Sequence, residues 1–265
     1  DGWVKRQGSY TARENIRIRE GDEIGWILPA STRATVAFLT SHGRAYTVRV
    51  DELPSTTGYG DPVQKLFSFS DRERVVGVVS FDGRVLPAPQ PDPETEPELF
   101  KRNGEVKKDA VPYLVAVTRD GQAIRLTIDG YVEPSTKNGR LFMRPAKGDE
   151  VMMAEVAGGA ENVCVASRNG HVLIFPVHQI PVYKSAAKGV IAMRLGSKDR
   201  VLGATLSDAA RDGLEVETSR GRREIVRTTK FDVTNRGNKG RQIIKRGHLA
   251  RVIVSPIEIR LNGKS

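Results

Sequence analysis

The sequence predicts an all-β fold made of repeated units. Short runs rich in β-branched residues alternate with glycine-containing turns, and the helical spacing of apolar residues is nearly absent. Pairs of glycines also recur at similar intervals, which indicates an internal structural repeat. The predicted strands are Val4–Arg6, Ile24–Leu28, Thr35–Leu39, Ala45–Val50, Val75–Val79, Leu114–Thr118, Ala123–Ile128, Val151–Val156, Val163–Ala166, Val172–Pro176, Val201–Ala204, Leu214–Thr218, Glu224–Arg227 and Ala250–Val254.

Four copies of one unit follow one another along the chain. The first glycine of each copy lies in a predicted tight turn, at Gly43, Gly121, Gly170 and Gly221. A second glycine follows 17, 18, 19 and 19 residues later, at Gly60, Gly139, Gly189 and Gly240. The intervals between successive first glycines are 78, 49 and 51 residues, so the first interval contains about 28 additional residues.

Each copy reads as strand, glycine turn, strand, basic glycine loop, strand, acidic turn and strand. The acidic turns are Asp71-Arg72-Glu73, Lys147-Gly148-Asp149 and Ser197-Lys198-Asp199. Four strands per unit of about 45–50 residues are typical of a propeller-like array, in which stacked sheets bury one another's faces. Residues 1–33 read as a partial unit that residues 252–261 help to close. The prediction is one all-β, propeller-like domain over residues 1–265, with about five four-stranded blades.

The additional residues of the first interval lie at about 82–112, between two predicted blades. Five prolines and three glutamates fall between positions 87 and 98 of this segment. Such a composition has too few apolar residues to form a core of its own. We therefore expect an exposed loop between blades, with a linker between two domains as the alternative.

The chain is strongly basic. Lys and Arg exceed Asp and Glu by ten. This excess suits a polyanionic partner, either nucleic acid or an anionic membrane surface, although a basic soluble protein without such a partner is a further alternative. No apolar run approaches the roughly 20 residues of a membrane span. Because the sequence begins with Asp1 rather than Met, we expect it to be a fragment of a longer polypeptide.

The residues show no pattern typical of a catalytic or metal site. The histidines, at positions 42, 171, 178 and 248, do not have metal-ligand spacing with Cys or carboxylates. The sequence also lacks a phosphate-binding loop, a dinucleotide fingerprint and a nucleophile elbow. Cys164, the single cysteine, lies in an apolar run and is predicted to be a buried structural thiol in a protein of a reducing cytosol.

The basic glycine loops are the candidate DNA-binding elements. Glycine allows backbone N–H groups to approach a phosphate, and adjacent Lys or Arg supplies positive charge. Taken singly each loop is more simply a solvated turn, but four in register favour binding of duplex DNA along a basic rim. The fourth unit is the most cationic, with twelve Lys or Arg and five Asp or Glu between positions 211 and 251. The predicted DNA-binding residues are Arg44, Lys137, Arg140, Lys184, Lys188, Arg220, Arg222, Arg223, Arg227, Arg236, Lys239, Arg241, Lys245 and Arg246.

The repeated motif resembles the C-terminal domain of bacterial type IIA topoisomerase A subunits. It begins as Gly43-Arg44-Ala45-Tyr46, continues to Leu53-Pro54 and ends as Gly58-Tyr59-Gly60-Asp61-Pro62, and the third copy, residues 170–189, is similar. This resemblance covers nearly the whole chain. It implies a β-pinwheel, a propeller-like ring whose blades exchange strands, and it implies a non-catalytic domain that bends duplex DNA around its edge.

Two members of that family are alternatives. The gyrase domain has six blades and a basic box of the type Q-R-R-G-G-K-G in its first blade. Here the matching region, Gln7–Ile16, lacks the box, and the nearest match is Asn235–Arg241 in the fourth unit. The missing first-blade box and the five-blade count favour topoisomerase IV, with gyrase as the alternative.

The resemblance also implies partners and cofactors. The domain itself would need no metal or other cofactor, whereas the parent holoenzyme would use Mg and ATP. The implied partners in a bacterial cytoplasm are double-stranded DNA, the ATPase B subunit of the holoenzyme and the remaining cleavage core, without a membrane. A propeller scaffold that binds acidic proteins through residues 87–98 and the less basic first blade is a different class of function. A propeller enzyme is a third, but no group of residues supports it.

Overall fold

A computed structural model describes residues 2–8, 12–89, 112–207, 213–253 and 257–258. In these residues the chain forms β-strands and short 3-10 helices but no α-helix. The described residues contain no helix with the length and hydropathy of a membrane span. The strands are β1 (Trp3–Val4), β2 (Trp26–Ile27), β3 (Thr35–Thr40), β4 (Arg44–Arg49), β5 (Asp61–Pro62), β6 (Val75–Ser80), β7 (Tyr113–Thr118), β8 (Gln122–Thr127), β9 (Arg140–Leu141), β10 (Val151–Ala157), β11 (Asn162–Ser167), β12 (His171–Pro176), β13 (Val182–Tyr183), β14 (Val190–Ile191), β15 (Val201–Ser207), β16 (Leu214–Thr218), β17 (Arg223–Val226), β18 (Arg241–Gln242), β19 (Leu249–Val252) and β20 (Ile257–Glu258). The 3-10 helices are Arg13–Asn15, Val50–Glu52, Val63–Lys65, Asp129–Tyr131 and Val177–Gln179.

Each repeat builds its sheet around its first long strand. Strands β3, β7 and β11 are central and pair antiparallel with the second and the last strand of their own repeat. In each of these three strands every residue after the first is buried. Burial on both faces explains why they appear in the sequence as continuous apolar runs rather than as alternating ones. The predicted all-β class is confirmed.

The short strand after each basic loop joins the sheet of the preceding repeat. Strand β9 of the second repeat pairs with β4 of the first, β14 of the third pairs with β8, and β18 of the fourth pairs with β12. The third strand of each of these repeats therefore crosses over to the preceding sheet instead of pairing within its own repeat. This exchange of strands agrees with the resemblance to a β-pinwheel.

The second glycine of each repeat makes this exchange possible. Gly60, Gly139, Gly189 and Gly240 all have positive φ, between +64° and +87°. A Cβ on any of them would lie 2.1–2.9 Å from a backbone carbonyl oxygen of the edge strand against which the loop packs. Only glycine satisfies both conditions. The recurrence of these glycines is thus explained by strand exchange rather than by an approach of phosphate.

The two arms of each loop cover the outer edge of the preceding sheet. In the third repeat, β13 pairs parallel with β8 at Arg125, and β14 pairs antiparallel with β8 at Ala123. In the fourth repeat, Val233 forms a parallel bridge to Ile174, and β18 covers the start of β12. An edge covered in this way is not available for pairing with another chain.

The sheets differ in size along the chain. In chain order from β3, the sheets of the four repeats have four, five, four and three described strands, and the last has the order β17-β16-β19. Residues 1–33 contribute β1 and β2, which lie in two separate pairs, β1-β5 and β2-β20. The described sheets are therefore unequal in size, because strand exchange adds strands to some of them and the first unit lacks long strands. The number of about five blades stays a prediction.

The chain forms two compact units. The first consists of Asp1–Leu86, Gly130–Leu141 and Ser255–Ser265, and the second of Pro87–Asp129 and Phe142–Val254. The core of the first unit contains Phe38, Tyr46 and Phe67, and the rings of Tyr46 and Phe67 have centroids 5.2 Å apart. In the second unit one apolar cluster joins the sheets of the second and third repeats, and another joins those of the third and fourth. Neighbouring sheets of this unit therefore bury one another's faces, as the repeat pattern predicts.

The segment predicted as an exposed loop at about 82–112 is packed where it begins. Asp82 and Val85 are buried. The Asp82 carboxylate accepts hydrogen bonds from the Ser31 amide, at 2.7 Å, and from the Arg84 guanidinium, at 2.6 Å. The exposed loop therefore cannot begin at position 82. Residues 90–111 lie outside the described residues, and the proposed loop in that range stays a prediction.

Candidate nucleic-acid interface

The glycine turn of each repeat has one common geometry. The amide of the turn glycine donates to the carbonyl of a buried Thr or Ser three residues earlier, at 2.9–3.0 Å. The glycines have φ between +74° and +82°, which favours glycine at this position. The Thr or Ser residues are Thr40, Thr118, Ser167 and Thr218. The amide of the residue after each Thr or Ser donates to a backbone carbonyl just before the last strand of the same repeat. This hydrogen bond closes the glycine turn against that strand.

In the first three repeats a carboxylate from the acidic turn binds the glycine turn. Asp199 accepts hydrogen bonds from Ser167 Oγ, at 2.7 Å, and from the amide of Asn169, at 3.0 Å. Asp149 accepts from the amide of Asp120 at 2.9 Å, and Glu73 accepts from Thr40 Oγ1. The acidic turns that the sequence indicates are therefore structural anchors of the glycine turns.

The Tyr46 and His171 side chains contact these carboxylates. The Tyr46 hydroxyl donates to Glu73 Oε1 at 3.1 Å, and burial, followed by the Glu73 charge, raises the pKa of Tyr46 to about 12. His171 Nδ1 lies 4.0 Å from Asp199 Oδ2. Burial, followed by the charge of Lys239, lowers the pKa of His171 below its usual value. The expected buried thiol is also confirmed, since Cys164 is fully buried and burial raises its pKa to about 12.

The predicted lysines of the basic loops are exposed, and they lie one to five residues before the second glycine of their repeats. Their ammonium groups make no hydrogen bond or ion pair with any described residue. These lysines are Lys137, Lys184, Lys188 and Lys239. Lysine presents a mobile point charge that suits phosphate contact without a fixed geometry.

Three of the predicted arginines instead bind backbone carbonyls. Arg236 donates from Nε to Gln179 O, at 2.9 Å, and from Nη1 to Ile191 O, at 2.5 Å. Arg44 donates to Asn138 O at 2.7 Å, and Arg140 donates to Pro134 O at 2.8 Å. These guanidinium groups fix the shape of the loops, so the structure gives them a role that the sequence does not indicate.

The cations of the fourth hairpin are largely balanced by carboxylates. Arg223 lies 3.4 Å from Glu217 and 3.8 Å from Glu215, and Arg222 lies 3.6 Å from Glu224. A cross-strand arrangement of opposite charges stabilises the sheet but leaves little net charge on it. The remaining predicted residues of this repeat are all exposed, and Arg241 also lies over the Phe231 ring at 5.9 Å. They are Arg220, Arg227, Arg241, Lys245 and Arg246.

Two further exposed cations lie next to the loops and are not among the predicted residues. Arg144 donates its amide to Ala187 O and its Nε to Ala186 O, at 2.9 and 3.2 Å. The amide of Arg194 donates to Asn238 O at 3.0 Å. Both stand five positions after the second glycine of their repeat, where Lys65 and Lys245 occupy the same position. That periodic basic residue is the signal that would have identified them.

Repeated antiparallel sheets that exchange a short strand between successive repeats define this protein as a β-pinwheel. Solved C-terminal domains of this class have the same fold. They include a C-terminal domain of DNA topoisomerase IV, with a TM-score of 0.76 and 18% identity over 96% of this chain and 75% of that one. They also include the E. coli ParC C-terminal domain, with a TM-score of 0.68 and 16% identity over 96% of this chain and 95% of that one.

The particular family follows from the sequence. The family described as the DNA gyrase C-terminal domain, β-propeller, matches residues 34–82, 112–152 and 161–208, more than half of the chain, and the chain belongs to this family. The gyrase A protein of Dehalogenimonas lykanthroporepellens is 26% identical over 85% of this chain and 25% of its own length. The corresponding topoisomerase 4 protein of Caulobacter vibrioides is 24% identical over 68% of this chain and 20% of its own length. The chain thus spans about a quarter or less of these curated relatives.

Proposed function

We propose that this chain is the duplex-DNA-binding domain of a type IIA topoisomerase A subunit. The observation that supports it best is the presence of exposed lysines in three successive loops, namely Lys137, Lys184, Lys188 and Lys239. Their ammonium groups are available to phosphates, whereas the neighbouring arginines hold the loops in shape. Membership of the gyrase C-terminal domain family supports DNA as the polyanion.

Contact through lysines on repeated loops favours the DNA backbone over base edges. Phosphate contacts position a protein on DNA and contain no sequence information, and each neutralised phosphate makes binding more dependent on salt. The residue types of the loops offer few donors in a geometry suited to base recognition. We therefore propose binding that is nearly independent of DNA sequence.

Within the family we propose the topoisomerase IV type of domain. It would bend DNA and present the transfer segment to the cleavage core, and so help to select crossings during decatenation and relaxation of supercoils. The support is the absence of a basic box from Gln7–Ile16, with the nearest match at Asn235–Arg241. In this proposal its partners in the bacterial cytoplasm are the cleavage core and the ATPase B subunit, while Mg and ATP are used by the holoenzyme rather than by this domain. The gyrase type, which wraps DNA and supports negative supercoiling, is the alternative.

The DNA-binding proposal is tested by neutralising loop lysines. The double variant K184Q/K188Q is expected to bind a duplex several-fold more weakly than the unchanged chain and to unfold at the same temperature, because neither ammonium group has a partner among the described residues. The matched control is K147Q/K198Q, which removes two exposed lysines from the acidic turns. Equal affinities of the two double variants would contradict the assignment of the loops.

The type of topoisomerase is tested by DNA topology. A plasmid relaxed in the presence of the domain, then freed of protein, should show little change in linking number if the domain only bends DNA. A strong positive writhe trapped by the domain would instead support the gyrase alternative.

A further inference from the structure

The fourth glycine turn differs from the other three by the loss of its carboxylate. In the first three repeats the acidic turn has the same three-residue order. A residue with positive φ comes first, and the residue whose carboxylate binds the glycine turn comes second. The carbonyl of the third residue accepts a hydrogen bond from the amide that follows the buried Thr or Ser of the glycine turn. These three-residue sets are Arg72-Glu73-Arg74, Gly148-Asp149-Glu150 and Lys198-Asp199-Arg200. In the fourth repeat Gly247, with φ +90°, is followed directly by His248, whose carbonyl accepts the Ser219 amide at 2.9 Å. The fourth repeat therefore keeps the backbone hydrogen bond of the other three repeats, but it lacks the residue that supplies the carboxylate.

The donors that hold the carboxylate in the third repeat are still present in the fourth. Asn169 N and Ser167 Oγ, which bind Asp199, correspond to Arg220 N and Thr218 Oγ1. Thr218 Oγ1 accepts a hydrogen bond from the Arg222 amide at 3.0 Å. In the same way, Ser167 Oγ accepts one from the His171 amide at 3.3 Å. Among the described residues, no acceptor takes a hydrogen bond from Arg220 N or from the Thr218 hydroxyl. The fourth turn therefore has two donors, at the positions of those that bind one carboxylate in the third turn, for which the described residues supply no acceptor.

The charge around this turn suits an anion from outside the protein. Arg220 and Arg222 flank the turn glycine, and Lys245 and Arg246 directly precede Gly247; all four are exposed. Of these four cations, Arg222 lies 3.6 Å from a carboxylate, that of Glu224. Backbone amides and hydroxyls that bind a carboxylate can bind a phosphate oxygen by the same charge-assisted hydrogen bonds.

We propose that the fourth turn is a phosphate site, in which Arg220 N and Thr218 Oγ1 bind two oxygens of one phosphate of the DNA backbone in the place of the missing carboxylate. This inference rests on the proposed DNA-binding function for the source of the phosphate. The first three turns are closed to such a ligand because Glu73, Asp149 and Asp199 already accept from the turn. The site therefore distinguishes the fourth repeat from its copies by chemistry and not only by the number of its cations.

The inference is tested by restoring the carboxylate. Insertion of one Asp between Gly247 and His248 recreates the order of Gly148-Asp149-Glu150, and insertion of one Asn is the control of equal length without charge. The Asp insertion is expected to weaken duplex binding by about fivefold to tenfold and to reduce the salt slope by about one phosphate. The Asn insertion should bind within about twofold of the unchanged chain. Equal affinities of the two insertions would overturn the site.

A second experiment needs no variant and separates this site from the proposed function. Inorganic phosphate is added to the unchanged, isotope-labelled chain, and the backbone amide resonances are followed. The Arg220 amide is expected to shift, and the Asn169 amide, already bound to Asp199, is expected to stay. Shifts of both amides or of neither would overturn the site. A shift of Arg220 alone in a chain that does not bind duplex DNA would support the phosphate site and overturn DNA as its source.

Discussion

The third and fourth repeats have the same order of strands but present positive charge differently. The third repeat has fewer cations than the fourth, and its loop lysines, Lys184 and Lys188, are exposed and have no partner among the described residues. The fourth repeat has twelve Lys or Arg between positions 211 and 251, yet several of them are bound within the fold. Ion pairs with carboxylates engage Arg222, Arg223, Lys230 and Arg251, and backbone carbonyls bind Arg236.

The difference shows that the number of cations is a poor guide to the charge available to a ligand. Surface ion pairs contribute little to stability, but they reduce the field that a phosphate would experience. The available charge of the fourth repeat is concentrated in its loop and turn, at Arg220, Lys239, Lys245 and Arg246, whereas its hairpin face is nearly balanced.

Substitution of the second glycine of the fourth repeat is expected to have a larger effect on stability than the substitutions described in the next paragraphs. In G240A the new Cβ would lie 2.3 Å from Val172 O at φ +78°, so we expect a loss of about 2–4 kcal/mol in the free energy of unfolding. The matched control is G221A, where φ is also +78° but no atom lies within 4 Å of the new Cβ, and the expected loss is about 1 kcal/mol. Urea unfolding measures both. Equal losses would show that strand exchange does not require the glycine.

The carboxylate of the third turn is expected to stabilise that turn. In D199N the hydrogen bonds from Ser167 Oγ and Asn169 N lose their charged acceptor, so we expect a loss of about 1–3 kcal/mol in unfolding free energy. Thermal unfolding measures the loss. The variant N235D, which adds a carboxylate to an exposed position of the fourth loop, is the control for a change of one charge and should leave stability nearly unchanged. A stable D199N would contradict the role of Asp199 as an anchor.

Two cations of the fourth loop are expected to act by different routes. R236M removes hydrogen bonds to Gln179 O and Ile191 O and should lower unfolding free energy by about 1–2 kcal/mol. K239M should change stability by less than about 0.5 kcal/mol, because the exposed ammonium has no bonded partner among the described residues, but it should weaken DNA binding. Unfolding and duplex affinity are measured on both variants. A destabilised K239M with unchanged DNA affinity would reverse these assignments.

The smallest effect is a pH dependence at His171. Its pKa is lowered in the folded chain by burial first and by Lys239 second, and Asp199 opposes the shift. Because the folded pKa lies below the unfolded value of about 6.5, the stability contribution is present above pH 6.5 and is lost as pH falls through the folded pKa. In K239Q the pKa of His171 should rise, and a nuclear magnetic resonance titration of its ring measures this. An unchanged pKa would mean that Lys239 lies too far from the ring to affect it, and a lower pKa would contradict the direction of its effect.

The strands could be predicted from the sequence because the central strands are buried on both faces and appear as apolar runs. The local pattern does not show the partner of the short exchanged strands, since pairing β18 with β12 rather than with its own repeat leaves that pattern unchanged. Strand exchange was implied only by the family resemblance. The loop lysines were predicted as exposed cations. The binding of Arg236 to carbonyls was not, because a guanidinium bound to a carbonyl has no signature in the sequence. The same is true of Arg223, whose carboxylate partners come from the neighbouring strand.

The dependence of duplex affinity on salt tests most directly whether the loop lysines contact phosphates. If Lys137, Lys184, Lys188 and Lys239 each neutralise a phosphate, a plot of log affinity against log salt concentration should have a slope of about −3 or steeper. The affinity should also vary little between duplexes of different sequence. A flat plot would contradict a DNA-backbone interface on this domain.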